Sequence, residues 1–133
     1  MTTEDAALAA GRAMAETRMR ETVRLLRPGA DVYDPGTGQT TTSSTELHSG
    51  QARVKPVEAI GEAVQAGDRE VSLRRYEIAL PWATVPAQPV QPGDLVEVLT
   101  SPDPRMAGLV LHVTGTQYSA AATAWRLSGE DRS

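Results

Sequence analysis

The chain has 133 residues, 40% of them hydrophobic, no cysteine and a formal net charge of −4. That length fits one domain with a core of its own, and the missing cysteine excludes disulfides and thiolate metal sites. The acidic balance, with a pI near 5.1, argues against a protein that grips nucleic acid through its overall field, since phosphate binding needs a basic face.

No apolar run approaches the roughly 20 residues that span a bilayer. The N-terminus lacks the basic start and apolar middle of a secretory signal, so synthesis and maturation in a cytosol are expected, with no membrane partner. Phenylalanine is absent and aromatics make up 4% of the chain. This predicts a thin core of valine, leucine and alanine, with stability left to be gained by assembly.

Residues 4–19 read as a helix of alanine, methionine, arginine and glutamate, all good helix formers. Thr2 or Thr3 is the N-cap, and Glu4 and Asp5 occupy the first turn, where the helix dipole favours acids. Leu8, Ala15 and Met19 fall on one weak stripe with Arg12 between them, which packs either on the same domain or on a neighbouring subunit. Residues 22–27 then alternate as a strand with Val23 and Leu25 on one face, and Pro28-Gly29 is expected to end it.

Residues 34–45 begin with a proline-glycine turn and continue as a threonine run, either strand or mobile loop. A long, poorly ordered hairpin tip is expected. It holds no Lys or Arg to clamp phosphate, and no Gly-Lys-Ser/Thr follows its glycines. Strand character resumes over 46–56, with Ala52 and Val54 opposite Arg53 and Lys55, and Pro56 marks an end or an edge. Residues 57–68, acidic and alanine-rich, are expected to form a loop.

The central strand, 69–81, changes phase. Val71 and Leu73 occupy odd positions, whereas Tyr76, Ile78 and Leu80 occupy even ones, so a bulge near Arg74-Arg75 is expected to turn both arginines toward solvent or a partner. Trp82 reads as a core lid or a contact residue. Residues 83–91, with Pro86 and Pro89, read as a stiff projecting arm. Pro92-Gly93-Asp94 is a turn, and Val96 and Val98 form the next buried pair. After a fixed turn at 101–104, Leu109, Leu111 and Val113 point inward over 107–116 and His112 outward. A last strand over 122–127 groups Thr123, Trp125 and Leu127, and the polar tail is expected to fray.

These elements predict a mainly β single domain over 1–133: a small antiparallel β-barrel or sandwich, SH3-like, with an N-terminal α-helix and long hairpin loops. The barrel core is placed at 21–128 and the frayed tail at 129–133. His48 and His112 lie in no nucleophile elbow or local metal motif. No carboxylate pair sits in an apolar signature that would split its pKa values. No catalytic residue, cofactor or metal ligand is assigned, and an enzyme is not expected.

The order of these motifs resembles the head-closure, or stopper, proteins of the head–tail connector in long-tailed bacteriophages, particularly those of actinobacterial hosts. The resemblance is carried by Arg27-Pro28, Asp34-Pro35-Gly36-Thr37-Gly38, Gly50-Gln51-Ala52-Arg53-Val54, Leu80-Pro81, Pro92-Gly93-Asp94 and Gly108-Leu109-Val110. It implies a structural virion protein of the neck, assembled in the host cytoplasm. Copies would form a ring, a hexamer or dodecamer, between the portal and adaptor above and the tail-terminator or tail proteins below. Packaged DNA would pass through without sequence-specific binding.

On that reading the candidate inter-subunit or channel-facing residues are Asp34, Gly36, Thr37, Gly38, Gln39, Thr41, Arg74, Arg75, Trp82, Pro86 and Pro89. The alternatives are an adaptor or tail-terminator of the same neck, or a non-viral SH3- or OB-like binding module. The last needs an aromatic platform, and Tyr76, Trp82, Tyr118 and Trp125 are scattered.

Overall fold

The protein's fold is taken from a computed structural model that describes residues 2–57, 63–66, 69–72, 74–117 and 119–132. Its strands are β1 (Glu21–Asp34), β2 (Gln39–Pro56), β3 (Ala63–Ala66), β4 (Arg69–Ser72), β5 (Arg74–Pro81), β6 (Leu95–Thr100), β7 (Val110–Gln117) and β8 (Ala124–Asp131). Six of them close an antiparallel barrel in the order β1-β2-β5-β8-β7-β6, and β3 pairs with β4 in a separate two-stranded sheet. Period-two alternation builds the interior. Val23 and Leu25, Ala52 and Val54, Ile78 and Leu80, Val96 and Val98, and Leu111 and Val113 all point inward and are buried. Trp125, 2% exposed, and Tyr76 add the aromatic volume that the composition seemed to deny the core.

α1 (Thr3–Thr17) is shorter than the predicted 4–19. Thr2 and Asp5 form a reciprocal capping box, the Thr2 hydroxyl accepting from the Asp5 N–H at 3.1 Å. The helix stops at Thr17, and Met19 is buried beyond its end. α1 buries no residue of its own and lies against β5 and β8 of its own barrel.

Pro28-Gly29 does not end β1. The strand runs on to Asp34 through a register shift between Pro28 and Asp31. Proline needs no ladder partner for a missing N–H, and a Cβ on Gly29 would lie 2.6 Å from the Ser43 hydroxyl. The pair therefore makes a bulge and not a stop. A second shift, at Leu25/Leu26, skips Leu47 on β2 and leaves it buried in the core. The threonine run is ladder throughout, paired from Asp34↔Gln39 back into the barrel, so the loose tip expected over 34–45 is a continuous hairpin.

Three further expectations change. Within 57–68, β3 pairs with β4 in register from Ala63↔Ser72 to Ala66↔Arg69, so part of that loop is strand. No bulge lies at Arg74-Arg75, because β5 keeps unbroken register with β8 from Arg74↔Asp131 to Pro81↔Ala124. The phase change instead accompanies a change of sheet, between Ser72 in one and Arg74 in the other; Leu73 itself lies outside the described residues. The tail does not fray from 129: β8 continues to Asp131, with Gly129 and Asp131 buried between β5 and β7.

Candidate interaction surfaces

Arg27 marks where β1 leaves the barrel. Its guanidinium donates twice to Asp94, Nε to Oδ1 and Nη2 to Oδ2, both at 3.0 Å. It also donates to the Pro89 carbonyl at 2.7 Å and to the Gln88 side chain. Asp94 is 2% exposed, and its Oδ2 also accepts from the Gln91 N–H at 2.9 Å. The hydrogen bond to Asp94 raises the Arg27 guanidinium above its ordinary pKa. The turn that carries Asp94 is tied into β7, with Gly93 N–H donating to Val113 O and Val113 N–H to Asp94 O. Gly93 takes a φ of 98°, which glycine alone adopts freely.

This staple decides the course of residues 82–91. They form no projecting arm. Ala87 N–H donates to Leu47 O at 2.9 Å, Val90 is buried in the core cluster, and Arg27 holds Gln88 and Pro89. Pro86 is half-buried and Pro89 exposed. The prolines stiffen a strap drawn across the barrel's end.

Beyond Arg27 the β1–β2 hairpin has no buried residue from 28 to 46. Seven residues of β1 at about 3.3 Å each carry it about 23 Å past the staple. Its turn is well made. Asp34 Oδ1 accepts from Gly36 N–H at 2.9 Å, Asp34 O from Gly38 N–H at 2.8 Å, and Gly38 has a φ of 71°. Asp34, Gly36, Thr37, Gly38, Gln39 and Thr41 are all exposed on this hairpin, together with Val32 and Tyr33. Arg74 and Arg75 are exposed at the start of β5, opposite Asp131 and Glu130 in the register. The predicted contact residues thus fall on three places: the hairpin, the head of β5 and the strap.

Trp82 is no core lid: it is 40% exposed. The Arg12 guanidinium stacks 3.6 Å from its ring centroid, and its indole N–H donates to Ser119 O at 3.0 Å. Arg12 also donates to Ala120 O at 2.7 Å and Ala122 O at 3.1 Å. One arginine therefore fastens α1 to the loop before β8. The signal was a lone cation inside an apolar stripe. The Arg27–Asp94 staple left no local signal, since its partners are 67 residues apart.

On the barrel's outer face Arg24 donates to Glu97 at 2.7 Å, and in the loop between β6 and β7 Arg105 pairs with Asp103 at 3.0 Å. The hydrogen bond from Arg105 holds the Asp103 carboxyl below the ordinary aspartate range. His48 and His112 are half-buried. Among the described residues no group of three His, Asp or Glu is placed to hold a metal ion, and no helix is long and apolar enough to cross a membrane.

A family model, described as a family of unknown function (DUF6093), matches residues 11–130. The chain belongs to this family. The match spans α1 from Gly11 and the barrel strands as far as Glu130. The solution structure of protein SF1141 from Shigella flexneri 2a is similar, with a TM-score of 0.53 and 19% identity over 86% of this chain and 93% of that one. At that identity the likeness is one of fold. No curated protein matches the chain.

Proposed function

We propose that this member of the DUF6093 family is a structural subunit of a phage neck, a head-closure protein that forms a ring between portal and adaptor above and tail below. The observation that carries the reading is the β1–β2 hairpin, which leaves a closed barrel with every residue from 28 to 46 exposed. A self-contained barrel has no need of such an extension, whereas a ring subunit uses one to reach its neighbours or its channel. The hairpin contains no Lys or Arg, so it suits a passage through which DNA must slide without sticking.

The strand-dominated fold weighs against an adaptor, which should be mostly helical. A base-stacking module is disfavoured because Tyr76 and Trp125 are core residues and Trp82 is covered by Arg12. The test is microscopy of particles carrying an affinity tag on this chain. Label at the head–tail junction, with ring density of six or twelve barrels, is expected. Label elsewhere, or complete DNA-filled particles made without the chain, would overturn the reading.

A further inference from the structure

The molecule is acidic overall, yet one groove is not. Between the C-terminal half of α1 and the outer faces of β2, β5 and β8 lies a cleft of about 190 Å³. Its described lining includes Arg18, Arg53, Lys55 and Arg126, with Glu77 the one acid among those residues and Met14 and Ala79 among the apolar ones. The ladder sets this arrangement, placing Arg53 opposite Ala79 and Ala79 opposite Arg126, with Lys55 opposite Glu77 one step along. Glu77 is engaged by Arg126 at 3.2 Å. The side chains of Arg18, Arg53 and Lys55 make no hydrogen bond or ion pair with any described residue, and all three are exposed. Three cations therefore face one opening with no anion paired to them among the described residues.

The hairpin is the complement. Residues 28–46 contain Asp31, Asp34 and Glu46 and no Lys or Arg. Alternation puts Asp31 and Tyr33 on one face and Val32 and Asp34 on the other, so either face offers a carboxylate beside a large apolar side chain. Val32 and Tyr33 are 59% and 62% exposed, and Met14 at the groove is 58% exposed. Methionine adapts its shape to what it meets.

We infer that the hairpin of one copy docks in the Arg18–Arg53–Lys55 groove of the next. A contact between two different patches of the same chain is heterologous, and repeated with rotation it closes a ring. Charge complementarity of this kind fixes register and steers encounter. The inference needs only self-association and deepens the neck reading without depending on it.

Lys55 is the chain's one lysine, which makes the contact easy to trap. Carbodiimide treatment of the full chain should yield oligomers in which Lys55 is joined to Asp31 or Asp34. Sedimentation should show self-association that weakens at least about tenfold with Arg53→Glu/Lys55→Glu or with Asp31→Arg/Asp34→Arg, as expected for lost complementary charges. Asp31→Arg/Glu46→Arg spares the turn aspartate and should weaken it in the same direction. Circular dichroism checks that each variant folds. Mixing a groove variant with a hairpin variant should restore a mixed oligomer with the charges exchanged.

A chain that stays monomeric, or oligomers indifferent to both reversals, would overturn the proposal. So would duplex DNA binding that the groove variant abolishes and the hairpin variants leave intact. Neck localisation with charge-indifferent rings would end this docking mode and spare the neck reading. Restored mixed oligomers with no place in a particle would do the reverse.

Discussion

Arg27 and Asp94 hold together parts of the chain that carry no mutual sequence signal, and the barrel's open end depends on them. Asp94 is buried and accepts from the Arg27 guanidinium and the Gln91 N–H. Removing its carboxylate strands a guanidinium already committed to Pro89 and Gln88. It also frees the strap from the turn. Asp94→Ala should therefore cost about 1–3 kcal/mol in urea unfolding, the range for losing hydrogen bonds made to a charged group. Asp94→Asn keeps an acceptor for Gln91 N–H but loses the charge and one acceptor toward Arg27, and should fall between. Equal stability of Asp94→Ala and the parent chain would show that the staple is idle. A nearby glycine shows how tight the core is: a Cβ on Gly129 would meet Ile78 Cδ1 at 3.0 Å and Leu111 Cβ at 3.3 Å.

At the scale of elements, α1 is secured by little burial. A 15-residue helix of this kind is marginal alone in water, and α1 has no buried residue. Its attachment rests on Arg12, through two carbonyls and the Trp82 ring, and on a close fit at Gly11, where a Cβ would lie 2.9 Å from Thr123 Cγ2. Arg12→Ala should speed amide exchange across α1 at least about tenfold while exchange in β5 and β8 stays unchanged. Uniform protection across helix and barrel in that variant would mean that Arg12 is not the fastener. These attachments explain what the sequence could and could not disclose. The alternations at Ala52/Val54, Val96/Val98 and Leu111/Val113 were legible because each is a local period. Pro28-Gly29 misled because a pair that usually stops a strand can also bulge one, and only Ser43 on the facing strand decides between them. The strap misled for a similar reason: Pro86 and Pro89 fix its stiffness, but Arg27 and Leu47 fix its direction.

For the whole molecule, the division between barrel and hairpin matters most. The barrel closes on itself through β1 and β6, with paired residues from Thr22↔Thr100 to Leu26↔Leu95, and its core cluster takes nothing from residues 28–46. Folding free energy should therefore reside in the barrel, and the hairpin should be kept for contact. Deleting residues 36–44 leaves eight residues to bridge Arg27 and Thr45, ordinary for a surface loop. The shortened chain should unfold cooperatively within about 1 kcal/mol of the parent in urea, with nearly the same slope, because little apolar surface is removed. If the neck reading holds, particles built with it should lose packaged DNA or fail to take a tail. A collapse in stability would place the hairpin in the fold itself. Normal DNA-filled, tailed particles from a stable deletion chain would instead sink the hairpin's proposed role in assembly.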